Sequence, residues 1–251
     1  MTTIFFKQSA GKSLTVIFLF AAVTFLLYAN TLHAPFVFDD RASISENPCI
    51  RVNHLSPASL GKILESRLPT RAVANLSFAL NYYFHQYDLF GYHLVNLIIH
   101  IITGFLVYLL ARQTLAVIQK PSPFLALLAA FLWLVNPVHT QSVTYIVQRM
   151  NSLAAMFYLL TMVCYIQARR IQIHQEAAQR KPILLLAAVL LSAVLALASK
   201  EIAATLPLIL FLYEWCFFQN LDKRWLRQKI KGITALVAVL AAVVLIYLGD
   251  D

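Results

Sequence analysis

Two adjacent acids, Asp39 and Asp40, follow the aromatic-apolar string Phe36-Val37-Phe38. Carboxyls that close together raise one another's proton affinity, which suits a general base acting on a hydroxyl. The same pair could simply cap a helix at the membrane surface. His93, Asn96 and His100 are spaced i, i+3, i+7 and share one helical face. That face must turn into a helix bundle, as packing groups or as substrate contacts, because lipid does not solvate it. Two turns separate the histidines, too far for both to hold one metal ion. Arg149 follows Gln148, and its guanidinium fork matches a phosphate or, alternatively, snorkels to the head groups. Lys200 and Glu201 fill a tight turn without Gly, Pro or Asn. The pair marks a water interface or meets a phosphate. His139 and Gln141 lie near a further joint.

These residues are few in a chain that is 60% hydrophobic and only 12% charged over 251 residues. A soluble domain carries roughly 25% charged residues. The composition therefore predicts an all-α integral membrane protein. A span needs ~20 apolar residues. Seven segments qualify, near Leu14–Leu32, Tyr92–Leu110, Phe124–Val138, Ser142–Ala168, Pro182–Ser199, Ile202–Phe218 and Ile233–Leu248. The third is short enough to be partly re-entrant. The first is too long for a signal-peptide core and lacks a clear small-x-small cleavage site, so it reads as a retained anchor. Cys49, Cys164 and Cys216 show no motif spacing and give no disulfide framework. With six glycines and no Gly-rich phosphate loop, no CxxC and no HExxH, nucleotide chemistry is not expected.

A long outer loop runs from about 33 to 90. Ser56-Pro57 reads as an N-cap with proline at the first helical position, opening a short amphipathic helix that Pro69 ends. A second helix is expected from Thr70-Arg71. Asn75-Leu76-Ser77 matches a glycosylation acceptor, but the helical context counts against it. With the N-terminus inside, the inner loops hold thirteen of the 20 Lys and Arg residues, from Lys7 and Lys12 to Lys223, Arg224, Arg227, Lys229 and Lys231. This bias fixes the orientation. It places the acidic pair, Arg149 and Lys200 on the periplasmic or lumenal side. The net charge of +9 therefore reports topology, not nucleic acid. Glu214, at the inner end of the sixth span, is expected to pair with an inner Lys or Arg. A catalyst facing outward without a nucleotide site needs a pre-activated donor, and a lipid-linked one can diffuse to it in the bilayer.

The strings Phe36-Val37-Phe38-Asp39-Asp40, Asn47-Pro48, Leu76 to Tyr82, Gly91-Tyr92-His93-Leu94-Val95-Asn96, Asn136-Pro137-Val138-His139-Thr140-Gln141, Gln148-Arg149, Ser199-Lys200-Glu201 and Leu206-Pro207 occur in that order. Together they resemble the membrane half of the transmembrane, tetratricopeptide-repeat-containing O-mannosyltransferase-like proteins and their bacterial relatives. These belong to the GT-C superfamily with the protein O-mannosyltransferases. The resemblance covers about Phe36 to Glu214. It implies a GT-C fold over residues 1–251 and inverting transfer of a sugar from a polyprenyl- or dolichyl-phosphate donor to a protein or glycan hydroxyl. It implies no required cofactor; a divalent metal is an optional addition. By that resemblance catalysis falls to Asp39 and Asp40 and the lipid phosphate to Arg71, Arg149 and Lys200, while His93, Asn96, His139 and Glu201 are further candidate substrate contacts from their position. The membrane would be the bacterial inner membrane or that of the endoplasmic reticulum. Ala72 stands where relatives often have proline, and Gln141 where many have glutamate. Relatives continue into further spans and a repeat domain, expected to be missing from a chain ending at Asp251. A lipid-linked-substrate flippase would instead line a path across the bilayer with charge, and a non-catalytic assembly partner would keep the fold without turnover.

Overall fold

A computed structural model describes residues 10–54, 56–64, 71–174, 180–230, 232 and 234, and among these the secondary structure is entirely helical. The order is α1 (Ala10–Tyr28), α2 (Pro57–Leu64), α3 (Ala72–His85), α4 (Leu89–Val117), α5 (Pro123–Leu134), α6 (Thr140–Thr144), α7 (Arg149–His174), α8 (Arg180–Leu197) and α9 (Leu206–Tyr213). Short 3-10 and π turns join them.

α4 is the central post. Its 29 residues span roughly 44 Å at 1.5 Å per residue, more than the ~30 Å hydrocarbon core. Its first turns therefore reach beyond the hydrocarbon core. It packs on α1, α5 and α7, and α7 packs on α8. Gly104 lets α5 approach: a Cβ there would lie 2.7 Å from Leu134 Cδ1. Leu14, Phe18 and Leu26 of α1 point outward, as expected of a helix whose surroundings are lipid.

Four helices are long and apolar enough to cross a membrane: Ser13–Thr31, Leu89–Val117, Ile146–Ile173 and Glu201–Phe218. The third expected span is a bent pair, Pro123–Leu134 and Pro137–Thr144, with a 47° angle. Counting it as one span gives up to five. The bend follows from Asn136-Pro137. Proline removes a backbone donor, and Asn136 Oδ1 accepts the Val138 N–H at 3.0 Å to start a new turn. The expected fourth span is also broken near its start, because Tyr145 separates α6 from the turn at Ile146–Gln148. Ile183–Leu197 is apolar but shorter than a span. Seven crossings are thus not what the described residues contain, and most of the segment Ile233–Leu248 lies outside them.

The outer segment forms its own core. Ser56 Oγ accepts the Ser59 N–H at 3.2 Å and caps α2. Pro69 and Thr70 lie outside the described residues. α2 and α3 pack together, and Ile44, Ile50, Ile63 and Phe78 bury against Tyr92, Ile146 and Met150 from α4 and the start of α7. At roughly 25 cal/mol per Å² of apolar surface removed from water, this layer is clamped to the outer ends of the membrane helices. Asn75 is 2% exposed, so its side chain is not presented for glycosylation.

Candidate active site at the outer end of the bundle

The segment Tyr145–Met150, where α6 breaks and α7 begins, collects most of the predicted residues. Asp39 is exposed, and its backbone N–H donates to the Tyr145 hydroxyl at 2.9 Å. Asp40 is buried. Its Oδ1 accepts the Val147 N–H at 2.7 Å and its Oδ2 accepts the Val37 N–H at 3.0 Å. The two acids are therefore unequal. One carboxylate is tied to two loops, and its neighbour faces outward. Burial pushes the Asp40 carboxyl above the ordinary aspartate range, opposed by those two N–H groups and the field of His93.

Phe38, just before the pair, has φ of 44° and is 84% exposed. A non-glycine residue in this left-handed region is uncommon. Its ring meets Tyr145 edge-on at 6.4 Å. The turn is thus fixed by contacts on both sides of a strained residue.

His93 and Asn96, one turn apart on α4, hold the backbone of neighbouring segments. His93 Nε2 pairs with the Ala34 carbonyl at 2.9 Å, which pins the irregular segment leading to Asp39. Asn96 Nδ2 donates to the Val143 and Ile146 carbonyls at 3.2 and 3.4 Å. His100, a turn further in, pairs with the Leu134 carbonyl at 3.0 Å.

Arg149 is 0% exposed. Its Nε donates to Asn96 Oδ1 at 2.7 Å, and its terminal nitrogens donate to Asn81 Oδ1 at 2.5 Å and to the Tyr92 carbonyl at 2.8 Å. The Ser77 carbonyl adds a longer contact of 3.3 Å. The guanidinium also lies 4.7 Å from the Phe78 ring centre. It neither snorkels to the head groups nor presents an open fork. It ties α3, α4 and α7 together through neutral acceptors.

A second cluster sits beside the first. Arg71 makes a two-pronged pair with Glu201, at 2.9 Å from Nη2 and 3.4 Å from Nε. Its remaining terminal nitrogen lies 3.4 Å from Met150 Sδ, and this links the cluster to the Tyr145–Met150 segment. The Val73 N–H donates to the Ala198 carbonyl at 2.9 Å, which docks α3 on the end of α8. Lys200 is half-buried, and both that burial and the charge of Arg71 hold its ammonium below the ordinary lysine range.

His139 stands apart from both clusters. It packs on Trp133 at 4.3 Å between ring centres, and Trp133 stacks on His100 at 5.0 Å. The three line a cavity of about 730 Å³ that also meets Asn151, Ser152, Tyr158 and Thr205. Gln141 is exposed. Among the described residues no group of three His, Cys, Asp or Glu side chains converges as a metal site. Tyr145 and Trp133 escaped the sequence reading, and Ser77 and Asn81 entered it only within a motif string, without a role.

Residues 73–248 match the family described as dolichyl-phosphate-mannose-protein mannosyltransferase. The chain belongs to that family. Among curated proteins it is 34% identical over 197 residues to the protein O-mannosyl-transferase Tmtc1 of Drosophila melanogaster, covering 75% of this chain and 21% of that protein. It is 31% identical over 228 residues to Tmtc2 of the same fly, covering 87% of this chain and 23% of the relative. The human protein O-mannosyl-transferase TMTC4 is 29% identical over 208 residues, 72% of this chain and 26% of its own length. The chain thus spans about a quarter or less of these relatives. No solved structure matches it. The O-mannosyltransferase-like resemblance read from the motif strings is the family found here, and the chain is a multi-pass membrane protein by its apolar helices and its kin.

Proposed function

We propose that this chain is the donor-binding and catalytic membrane part of a mannosyltransferase. It transfers mannose from a dolichyl- or polyprenyl-phosphate carrier to a protein hydroxyl, on the periplasmic or lumenal side. The observation that carries the reading is the asymmetry of the acidic pair: a buried Asp40 bonded to two loops beside an exposed Asp39 whose backbone is held by Tyr145. Asp39 is the general base. Its carboxylate takes the proton of the acceptor hydroxyl as that oxygen attacks the anomeric carbon from the face opposite the phosphate. The bond from the anomeric carbon to the phosphate oxygen breaks, the sugar inverts, and the lipid phosphate leaves with the electron pair and needs no proton. Asp40 is a positioning residue that holds the loop.

Lys200 and Arg71 receive the phosphate charge, with Glu201 orienting the Arg71 fork. Fixed charge aimed at a leaving group is often the largest catalytic contribution. Arg149, His93 and Asn96 act through the backbone they hold, which departs from direct substrate contact. The cavity beside His139 has the size and the apolar wall suited to the first isoprene units of the carrier.

The test compares Asp39→Asn with the parental chain in membranes supplied with dolichyl-phosphate mannose and a serine-containing acceptor peptide. Transfer should fall by ~10²–10⁴-fold while photo-crosslinking of the donor is kept. Parental transfer by Asp39→Asn, or a parental chain that fails to crosslink the donor, overturns the proposal.

A further inference from the structure

A short cationic helix and a groove lie at the end of α9 away from Lys200. α7 runs from Arg149 at the outer end to His174, and α9 runs from the Lys200 turn to Tyr213, continuing as a π turn to Phe218. The helix at 223–230 follows that turn, at the end of α9 away from Lys200, and packs back against α9. Its placement is fixed locally. The Trp225 ring stacks on Phe211 of α9 at 5.4 Å and 14°. Trp215 Nε1 donates to the Asp222 carbonyl at 3.2 Å, and Asp222 Oδ1 caps the helix by accepting the Arg224 N–H at 2.8 Å.

We infer that this helix and the groove under it bind the anionic head groups of phospholipids in the leaflet opposite the acidic pair. Lys223, Arg224, Arg227 and Lys229 are all exposed on its eight residues. None of the four forms an ion pair among the described residues. Trp225 and Leu226 are half-buried, while Leu221 and Ile230 flank the cations as exposed apolar groups at 55% and 52%. Cations beside tryptophan and aliphatic groups, on a helix lying past a span, match an interfacial segment with its charges in the head-group layer.

The groove supplies more than a charged face. It encloses about 330 Å³ between Lys229 and Trp225 on one side and Tyr165, Leu210 and Phe211 on the other. Glu214 also lines it, yet its carboxylate is already committed. Arg169 binds both its oxygens at 3.0 and 2.6 Å, Tyr165 donates at 2.6 Å and Gln219 at 2.8 Å. A carboxylate so occupied leaves the Lys229 ammonium free for a phosphodiester, with acyl chains against Leu210 and Phe211. The ligand is a lipid, because a free anion gains nothing from the apolar wall.

Native mass spectrometry on the full chain in detergent, with equal amounts of 1-palmitoyl-2-oleoyl phosphatidylglycerol and phosphatidylcholine, tests this. Phosphatidylglycerol should be retained over phosphatidylcholine by about tenfold or more, and each of Arg224→Gln, Arg227→Gln and Lys229→Gln should lower its retention roughly fivefold. Arg227→Lys should keep it. Excess inorganic phosphate should not displace the lipid. Equal retention of the two lipids by the parental chain, or preference unchanged in all three glutamine variants, overturns the inference. Displacement by phosphate reassigns the site to a free anion and overturns it as well. The single variants leave every helix contact described above in place, so a loss of preference is not a loss of fold.

Discussion

Arg149 and Arg169 lie at opposite ends of the same helix, α7, and the protein handles their charges in opposite ways. Arg169 has a carboxylate partner, Glu214, at 2.6 Å, and the side chains of that pair are 27% and 10% exposed. Arg149 is wholly enclosed, and every acceptor bonded to it is neutral: two asparagine side chains, a serine and a tyrosine carbonyl. An ion pair cancels its own field. A guanidinium solvated by amide oxygens does not, and its positive field persists at the end of the molecule where Asp40 and the proposed phosphate site lie. The inner pair is therefore a strut. The outer arginine is a strut that also keeps a charge.

The sharpest way to break that comparison is to remove each cation. Arg149→Met strands Asn81, Asn96 and the Tyr92 carbonyl inside the protein. Each buried group left unpaired costs about 1–3 kcal/mol. A loss of about 3–5 kcal/mol is expected in unfolding of the reconstituted chain, the lower part of what three such groups would cost together. At the inner end Arg169→Met alone should cost less, because Gln219 and Tyr165 still serve Glu214. The double change Arg169→Met with Glu214→Leu should return close to parental stability, since apolar replacements of a buried pair are often neutral. No such rescue is available to Arg149. If Arg149→Met costs under about 1 kcal/mol, the contrast between the two ends is wrong.

A smaller effect sharpens the same contrast through pH. The Asp40 carboxyl is held above 3.8, the ordinary aspartate value, chiefly by burial. The folded state therefore binds this proton more tightly than the unfolded chain does. Its contribution to stability is fully present below the unfolded value and is lost as pH rises through the raised folded value. One proton limits the slope to about 1.4 kcal/mol per pH unit. Asp40→Asn should flatten that part of the stability–pH profile. The Asn81→Leu variant should keep the slope while lowering the whole curve. A profile with the same slope in parental protein and Asp40→Asn would show that the buried carboxyl is not the source.

The sequence made the acids, the helical face of His93 and Asn96 and the central spans legible, because local spacing and apolar length carry those signals. It hid the role of Arg149. Hydropathy scores burial in lipid and burial in protein alike. The partners of Arg149 at Asn81 and Asn96 stand 68 and 53 residues away, beyond any local pattern. The break at Tyr145 was hidden for a related reason. No glycine or proline stands between Thr140 and Arg149 to mark a break, and the helix is interrupted where Val147 and Tyr145 bond the acidic turn. The pairing of Glu214 was legible from its position next to a basic inner end. The choice of Arg169 over its neighbours was not, since Tyr165 and Gln219 help select it.

The smallest expected effect concerns Phe38. Its left-handed backbone costs a residue with a side chain about 1–2 kcal/mol relative to right-handed geometry. Glycine adopts φ of 44° without that strain, but it orders more backbone on folding, an opposing cost of about 0.5–1 kcal/mol. The ring of Phe38 adds little, because it is 84% exposed and meets only the edge of Tyr145. Phe38→Gly should therefore stabilise the chain by about 0.5 kcal/mol. Transfer should move the other way if Asp39 is the base. The strain at Phe38 and the Tyr145 hydroxyl jointly fix where that carboxylate stands, and a glycine there widens the positions it samples. A stabilised variant with lowered transfer and unchanged donor crosslinking would mark the turn as strained for function. A Phe38→Gly variant that loses stability would mean that the aromatic contact, small as it is, outweighs the backbone strain, and that packing rather than a strained turn sets where Asp39 stands.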